Sequence, residues 1–179
     1  MVSKVMKSKI YLTVFLLIGS LVISCSSDDD FNYQYDFEKS YRDWLHFKDL
    51  SADSYQYTVL GSSWIGFSWE TKITISNGEV VERHFKYVAP DDLGEIPEEE
   101  IEWIESGQEV GSHQNQAAEP LTMDEIYAKA KNDWLIKRKN AKTYFETGNN
   151  GLISTCGYVI NGCMDDCFIG IHIKNIKSL

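Results

Sequence analysis

Three cysteines near the C-terminus, Cys156, Cys163 and Cys167, with His172 five residues further on, are the densest group of reactive side chains in this 179-residue chain. In an oxidising compartment three thiols form one bridge and leave one over. If Asn161-Gly162 is a two-residue hairpin turn, Cys156 and Cys167 are both five residues from it. They then face each other across the strands, where Cβ atoms come within ~4.5–5.5 Å, close to disulfide reach. This pairing, with Cys163 as the third thiol, is the leading expectation. If Met164-Asp165-Asp166 instead forms a helical turn, Cys163 meets Cys167, and Cys156–Cys163 completes the set. A zinc tetrad of the three Cys and His172 fits by residue type, but the spacing matches no zinc motif. No metal and no cofactor is expected. Asp165-Asp166 is read as a turn feature.

A second group is acidic. Residues 90–120 contain Asp91, Asp92, Glu95, Glu98, Glu99, Glu100, Glu102, Glu105 and Glu109. Ca²⁺ takes 6–8 oxygen ligands, and this segment lacks EF-hand or repeat spacing, so a solvated acidic insertion is expected. The chain has no Gly-x-Ser-x-Gly, no His-Glu-x-x-His, no phosphate loop and no dinucleotide fingerprint. No catalytic residue is assigned. Tyr33, Tyr35, Tyr55, Tyr57, Trp64 and Trp69 supply a sheet core or, in part, an exposed face for glycan or protein contact.

The elements that position these groups follow from periodicity. Phe37, Tyr41, Trp44, Leu45 and Lys48 have helical spacing and predict an amphipathic helix over 36–50. Strands are expected at 55–60, at 65–75 with Ile65, Phe67, Trp69, Thr71, Ile73 and Ile75 alternating, and at 79–88 with Val81, Phe85 and Tyr87 on one face. Asn77-Gly78 between the last two is a type I′ hairpin signal. In the insertion, Pro97-Glu98-Glu99-Glu100 opens a short helix that Ile101 and Ile104 dock and Gly107 ends. The remainder, 108–119, reads as an irregular loop.

Thr122-Met123-Asp124-Glu125 is a capping box. It starts a second helix to about residue 140, with Ile126, Ala130 and Trp134 inward. Strands follow at 142–147, 152–160 and 168–176. The expected fold is α+β, two helices packed on an antiparallel sheet. The order is helix, three strands, acidic insertion, helix, three strands. Asp43-Trp44-Leu45 and Asp133-Trp134-Leu135 recur at similar places in the two helices, which raises the possibility of internal duplication. The outline resembles small periplasmic helix-plus-meander folds of protease- and lactamase-inhibitor-like domains, a likeness of architecture that carries no function.

The N-terminus says where the chain goes. Lys4, Lys7 and Lys9 precede an apolar run over 10–23. Fourteen residues make about 21 Å of helix, short of a ~30 Å hydrocarbon core, and fit an export signal better than a span. Leu21-Val22-Ile23-Ser24-Cys25 resembles the lipobox of bacterial lipoproteins. The resemblance implies that the Cys25 thiol receives a diacylglycerol and that cleavage removes residues 1–24. Ser26-Ser27-Asp28-Asp29-Asp30 resembles the serine-plus-acidic export signal of Bacteroidota lipoproteins, which implies display on the outer face of the outer membrane. The stretches Leu121-Thr122-Met123-Asp124-Glu125-Ile126-Tyr127, Tyr144-Phe145-Glu146, residues 152–158, Cys163-Met164-Asp165-Asp166-Cys167 and Gly170-Ile171 resemble uncharacterised Flavobacteria-type lipoproteins. That likeness brings no activity with it.

The organisation expected is a signal peptide at 1–24, a lipidated Cys and acidic tether at 25–35, and one domain at 36–179. The removed segment holds three Lys and no acid, so the net charge passes from −10 to −13. Such a surface repels anionic headgroups and phosphate backbones. Attachment is then expected from the lipid rather than from a basic patch, and nucleic acid is not a partner. The expected role is non-enzymatic binding of a protein or glycan partner by a lipid-anchored envelope domain. The alternatives are a carboxylate-dependent hydrolase and a purely structural envelope protein.

Overall fold

A computed structural model describes residues 31–88 and 96–179. The signal, Cys25 and residues 26–30 of the acidic tether of the sequence reading lie outside these residues, as does 89–95. The folded unit starts at Phe31, five residues before the predicted Asp36. Phe31 does not begin an edge strand. It makes a single bridge to Ile136, and the chain turns at Tyr33 (φ 61°) into α1, Gln34–Leu50.

The fold is α+β, as the patterning requires. After α1 come β1 (Tyr55–Ser62), β2 (Ser68–Ser76) and β3 (Glu79–Val88). A single turn, α2 (Glu98–Ile101), leads into β4 (Glu102–Ser106). Then α3 (Met123–Lys129) runs into a π-helical segment, Ala130–Trp134, and the chain finishes with β5 (Ala141–Glu146), β6 (Thr155–Ile160) and β7 (Phe168–Ser178). All seven strands form one sheet in the order β4-β3-β2-β1-β7-β6-β5, every pairing antiparallel.

Six strands were expected; the seventh, β4, is in the acidic insertion. Trp103 and Glu105 alternate inward there, against Glu102, Ile104 and Ser106 outward. That period of two was hidden by the acids around it. Ile101 and Ile104 therefore do not dock a helix, and Ile104 faces solvent.

One face of the sheet carries the helices. The inward residues Tyr55, Tyr57, Ile73, Ile75, Phe145, Cys156, Ile171 and Ile173 share a core with Phe37 and Trp44 of α1 and with Met123, Ile126, Tyr127, Ala130 and Trp134. The stripe of α1 is Phe37, Ser40 and Trp44, with Phe47 packed beside it; Tyr41 and Leu45 lie on its exposed flank. The buried hydroxyls between the helices and the sheet are paired, as burial demands. Ser40 Oγ meets Tyr127 Oη at 2.7 Å, the Met123 amide donates to Tyr55 Oη at 2.8 Å, and Tyr57 Oη donates to the Leu121 carbonyl at 2.5 Å.

The helix-and-three-strands order occurs twice and both meanders step across the sheet in the same direction, but their corresponding strands point opposite ways: β1 and β5 are three antiparallel pairings apart. β1 to β3 moves from the centre of the sheet outward, and β5 to β7 from the opposite edge inward, while both helices share one core. A tandem copy laid along the same face of the sheet would keep strand direction as well. The turn at Asn77 (φ 51°) and Gly78 (φ 81°) is the expected hairpin. A bulge just before it, between Thr74 and Ile75, turns Val80 toward the core and leaves Val81 exposed.

Candidate functional site: a forked sheet and its cleft

The β1–β7 ladder is short. It pairs Tyr55 with Ser178 and ends at Val59 with Ile173. Beyond that point β7 pairs only with β6, from Phe168 to His172, while β1 continues with β2 to Ser62. The sheet therefore forks, with β7 shared between its two halves. A cleft of about 1080 Å³ occupies the fork, within the range of small-ligand and peptide sites.

Strand alternation tells which backbone groups face it. The Ser63 amide donates to Phe67 across the β1–β2 hairpin at 2.8 Å, so the N–H and C=O of the preceding Ser62 point away from β2, into the fork. The Ile173 amide donates to Ser154 at 2.7 Å, so alternate β7 residues below it, Gly170 and Phe168, point away from β6 into the same gap. The walls are apolar: Leu60 and Val59 on one side, Ile169 and Ile171 on the other, Leu121 and Trp134 from the helical layer. Trp69 lies across β1 at Gly61, where a Cβ would come within 2.2 Å of the indole nitrogen. Only glycine admits the ring there. The rims are two hairpin tips with exposed Trp64 and Ile65 on one side and exposed Met164 on the other.

The polar row of the cleft does not have the order of a catalytic triad. Glu146, Thr155 and His172 form a row across β5, β6 and β7 on the face away from the helices. Thr155 Oγ1 and His172 Nδ1 are 3.3 Å apart. A triad places the imidazole between hydroxyl and carboxylate. Here the hydroxyl stands in the middle of the row. Burial lowers the pKa of His172, opposed by Glu146, and Phe168 stacks on its ring at 4.2 Å.

The cysteines are arranged differently from the leading expectation. Cys163 and Cys167 form the disulfide, with Cα atoms 6.0 Å apart, and Cys156 is a free, fully buried thiol. Asn161-Gly162 does turn the chain, with Gly162 at φ 82° and the Cys163 amide donating to Ile160, but pairing resumes only at Phe168. The hairpin loop thus spans 161–167 and moves the register. Cys156 stands opposite Ile171, not Cys167. The bridge closes the loop tip at the mouth of the cleft, next to Asp166. Among the described residues no three metal-ligating side chains gather.

Among the described residues of the acidic insertion, Glu105 stands apart from the other carboxylates. Glu105 is inward on β4 and 1% exposed, beside Arg83 on β3 at 3.2 Å. Its oxygens also accept from the amides of Gly111 and His113, both at 2.6 Å, and meet His113 Nδ1 at 2.9 Å. Burial pushes this carboxyl up, but those donors and Arg83 outweigh it and bring its pKa down to about 2. Arg83 in turn donates to the carbonyls of His113, Ala117 and Ala118 and lies over Trp103, which stacks on His113 at 4.1 Å. Residues 111–118, expected to be irregular, are thus folded around a buried ion pair. The loop ends in Glu119 and Leu121 at the cleft, so its anchoring sets one wall.

Basic side chains gather at one hollow of this acidic chain. Lys137, Arg138 and Lys139 surround a hollow of about 610 Å³ with Asn32 and Tyr33, where the folded unit begins. Patterning by net charge alone gave no hint of it. Comparison with known proteins gives no match: no family model, no curated protein and no solved structure matches the chain.

Proposed function

We propose that this chain is a lipid-anchored envelope protein whose folded domain works by binding rather than by catalysis, with the forked-sheet cleft as its binding site. The lipobox-like Leu21-Val22-Ile23-Ser24-Cys25 supports the anchor, and Ser26 to Asp30 supports display on the cell surface. The observation that carries the binding reading is the cleft itself, walled by apolar side chains and backbone edges and entered between two apolar hairpin tips. The one buried carboxylate of the insertion among the described residues is held ionised by donors that already satisfy it, which leaves it unsuited to proton transfer.

Three measurements test the reading. Mass spectrometry of the mature N-terminus is expected to find Cys25 acylated, and replacing Asp28, Asp29 and Asp30 by Ala is expected to protect the domain from protease added to intact cells. A photo-crosslinking amino acid in place of Leu60 is expected to capture a discrete envelope component, polypeptide or glycan, in living cells. The same probe in place of Glu79, at the far end of the sheet, should capture nothing. Equal labelling from both positions would remove the cleft from the account.

A further inference from the structure

We infer that the fork accepts a short, extended, basic segment of another polypeptide, inserted as an eighth strand between β1 and β7. This deepens the binding reading above and rests on it.

The backbone is the first reason. Two strand edges face each other across a gap, one ending at Ser62 and the other running from Phe168 through Gly170. Unpaired N–H and C=O groups on a strand edge recruit a further strand, and here both edges of the guest would be satisfied at once. β1 and β7 are antiparallel to each other, so the guest runs parallel to one and antiparallel to the other. The ladder leaves three residues of β1 and five of β7 beyond Val59 and Ile173, so the paired segment is three to five residues, roughly 10–17 Å long. Gly170 and Gly157 stand opposite each other where β6 and β7 approach too closely for a Cβ, so the β7 edge is held firmly by its β6 pairing.

The side chains give the second reason. A strand in this position alternates, one set of side chains toward the helical layer and the other toward the outer face. The inner set meets Leu121 and Trp134. The outer set lies between Leu60 and His172, with Glu70 one strand further on β2, Glu146 two strands further on β5, and Asp166 at the mouth. Five carboxylates line the cleft, Glu70, Glu119, Asp133, Glu146 and Asp166, against a single lysine, Lys129. Lys129 is spoken for by Glu119, Arg138 pairs with Asp133, and Lys86 and Lys174 pair with Glu70. Glu146 and Asp166 have no ion-pair partner among the described residues. The complement is a strand with alternating apolar and Lys or Arg side chains.

The test uses the mature chain in detergent and a synthetic octapeptide of alternating Val and Lys, followed by calorimetry. Three companion peptides are the Val/Glu analogue, the Val/Lys peptide N-methylated at every second amide, and the same peptide N-methylated at the other amides. The Val/Lys peptide is expected to bind and to slow hydrogen exchange at Ser62 and Gly170. The Val/Glu peptide and at least one N-methylated peptide are expected to bind at least tenfold more weakly, because N-methylation removes strand donors and leaves the side chains in place. Ser62→Pro, which deletes the fork-facing N–H at a strand end, is expected to weaken binding to a similar degree, and Ser62→Ala to leave it nearly unchanged. If the proline variant does not fold, the N-methylated peptides decide alone. No binding of the Val/Lys peptide at millimolar concentration, or binding of both N-methylated forms as tight as that of the unmethylated Val/Lys peptide, overturns the strand insertion. Capture of a glycan by the Leu60 crosslinker with no peptide binding would sink this inference and leave the binding function standing.

Discussion

Arg83 and Glu105 leave water together, and neither would do so alone. Removing one partner of a buried pair costs ~3–5 kcal/mol because the other charge is left uncompensated. Glu105→Gln is therefore expected to lower the unfolding free energy by about that amount at pH 7, read by urea denaturation. The sign with pH is fixed by the direction of the shift. A carboxyl with a folded pKa near 2, below its ordinary 4.5, adds stability above pH 4.5 that drains away as pH falls toward 2. The gap between wild type and Glu105→Gln should close over that window. A constant gap from pH 7 to pH 2 would mean that the ionised carboxylate is not what holds residues 111–118. Cys156 makes the complementary case, since burial pushes its thiol well up and no donor opposes it. In the lipidated mature protein, a thiol reagent is expected to find no group in the native state, one after unfolding without reductant, and three after reduction. One reactive thiol in the native state would place the bridge elsewhere. The pairing was open in the sequence because it depended on whether Asn161-Gly162 alone made the hairpin loop, a matter of register that spacing does not decide.

At the scale of elements, the parts with strong local signals were legible. The capping box at Thr122 is present as read: Glu125 donates its amide to Thr122 Oγ1 at 3.3 Å, and its side chain takes the Thr122 amide at 2.7 Å. The Asn77-Gly78 turn and both meanders were likewise readable, because their periods are local. The end of the second helix was not. After seven α-helical residues the ladder widens to a π segment, with the Leu135 amide donating to Ala130, and stops near Trp134 instead of residue 140. β4 was missed because inward Trp103 and Glu105 combine one apolar and one charged residue, and only the pairing with Arg83 makes the second an inward residue. The fork has no local signature at all, since it arises from where two ladders end. Thr122 starts the helix whose Asp124 receives Trp44 Nε1 at 2.8 Å and also meets Lys48, so its cap joins α3 to α1. Thr122→Ala is expected to cost ~1 kcal/mol, seen as a lower melting temperature, while Lys129→Ala on the exposed side of the same helix should cost far less. Equal losses would show that the cap is incidental to docking.

For the whole molecule the decisive fact is that one core serves a sheet in two halves. α1 and α3 pack on inward residues of β1 and β2 and of β6 and β7 together, so unfolding is expected in one cooperative step although β7 alone links the ladders. Local opening is a separate matter, since exchange at an amide follows the bond it makes. Ile173, whose amide bonds Ser154, and Tyr57, in the paired stretch of β1, should exchange only with global or near-global opening. Ser62, Phe168 and Gly170, whose amides face the gap, should exchange many times faster, although they belong to the same strands. The contrast within single strands is what a fork demands. A fraying strand end would give a gradual loss of protection along β1 instead, and it would leave Gly170, two residues inside β7, protected like its neighbours Ile169 and Ile171. Protection at Gly170 and Ser62 equal to that at Tyr57 would show the two edges joined in solution. The cleft would then be a closed seam with no place for a partner.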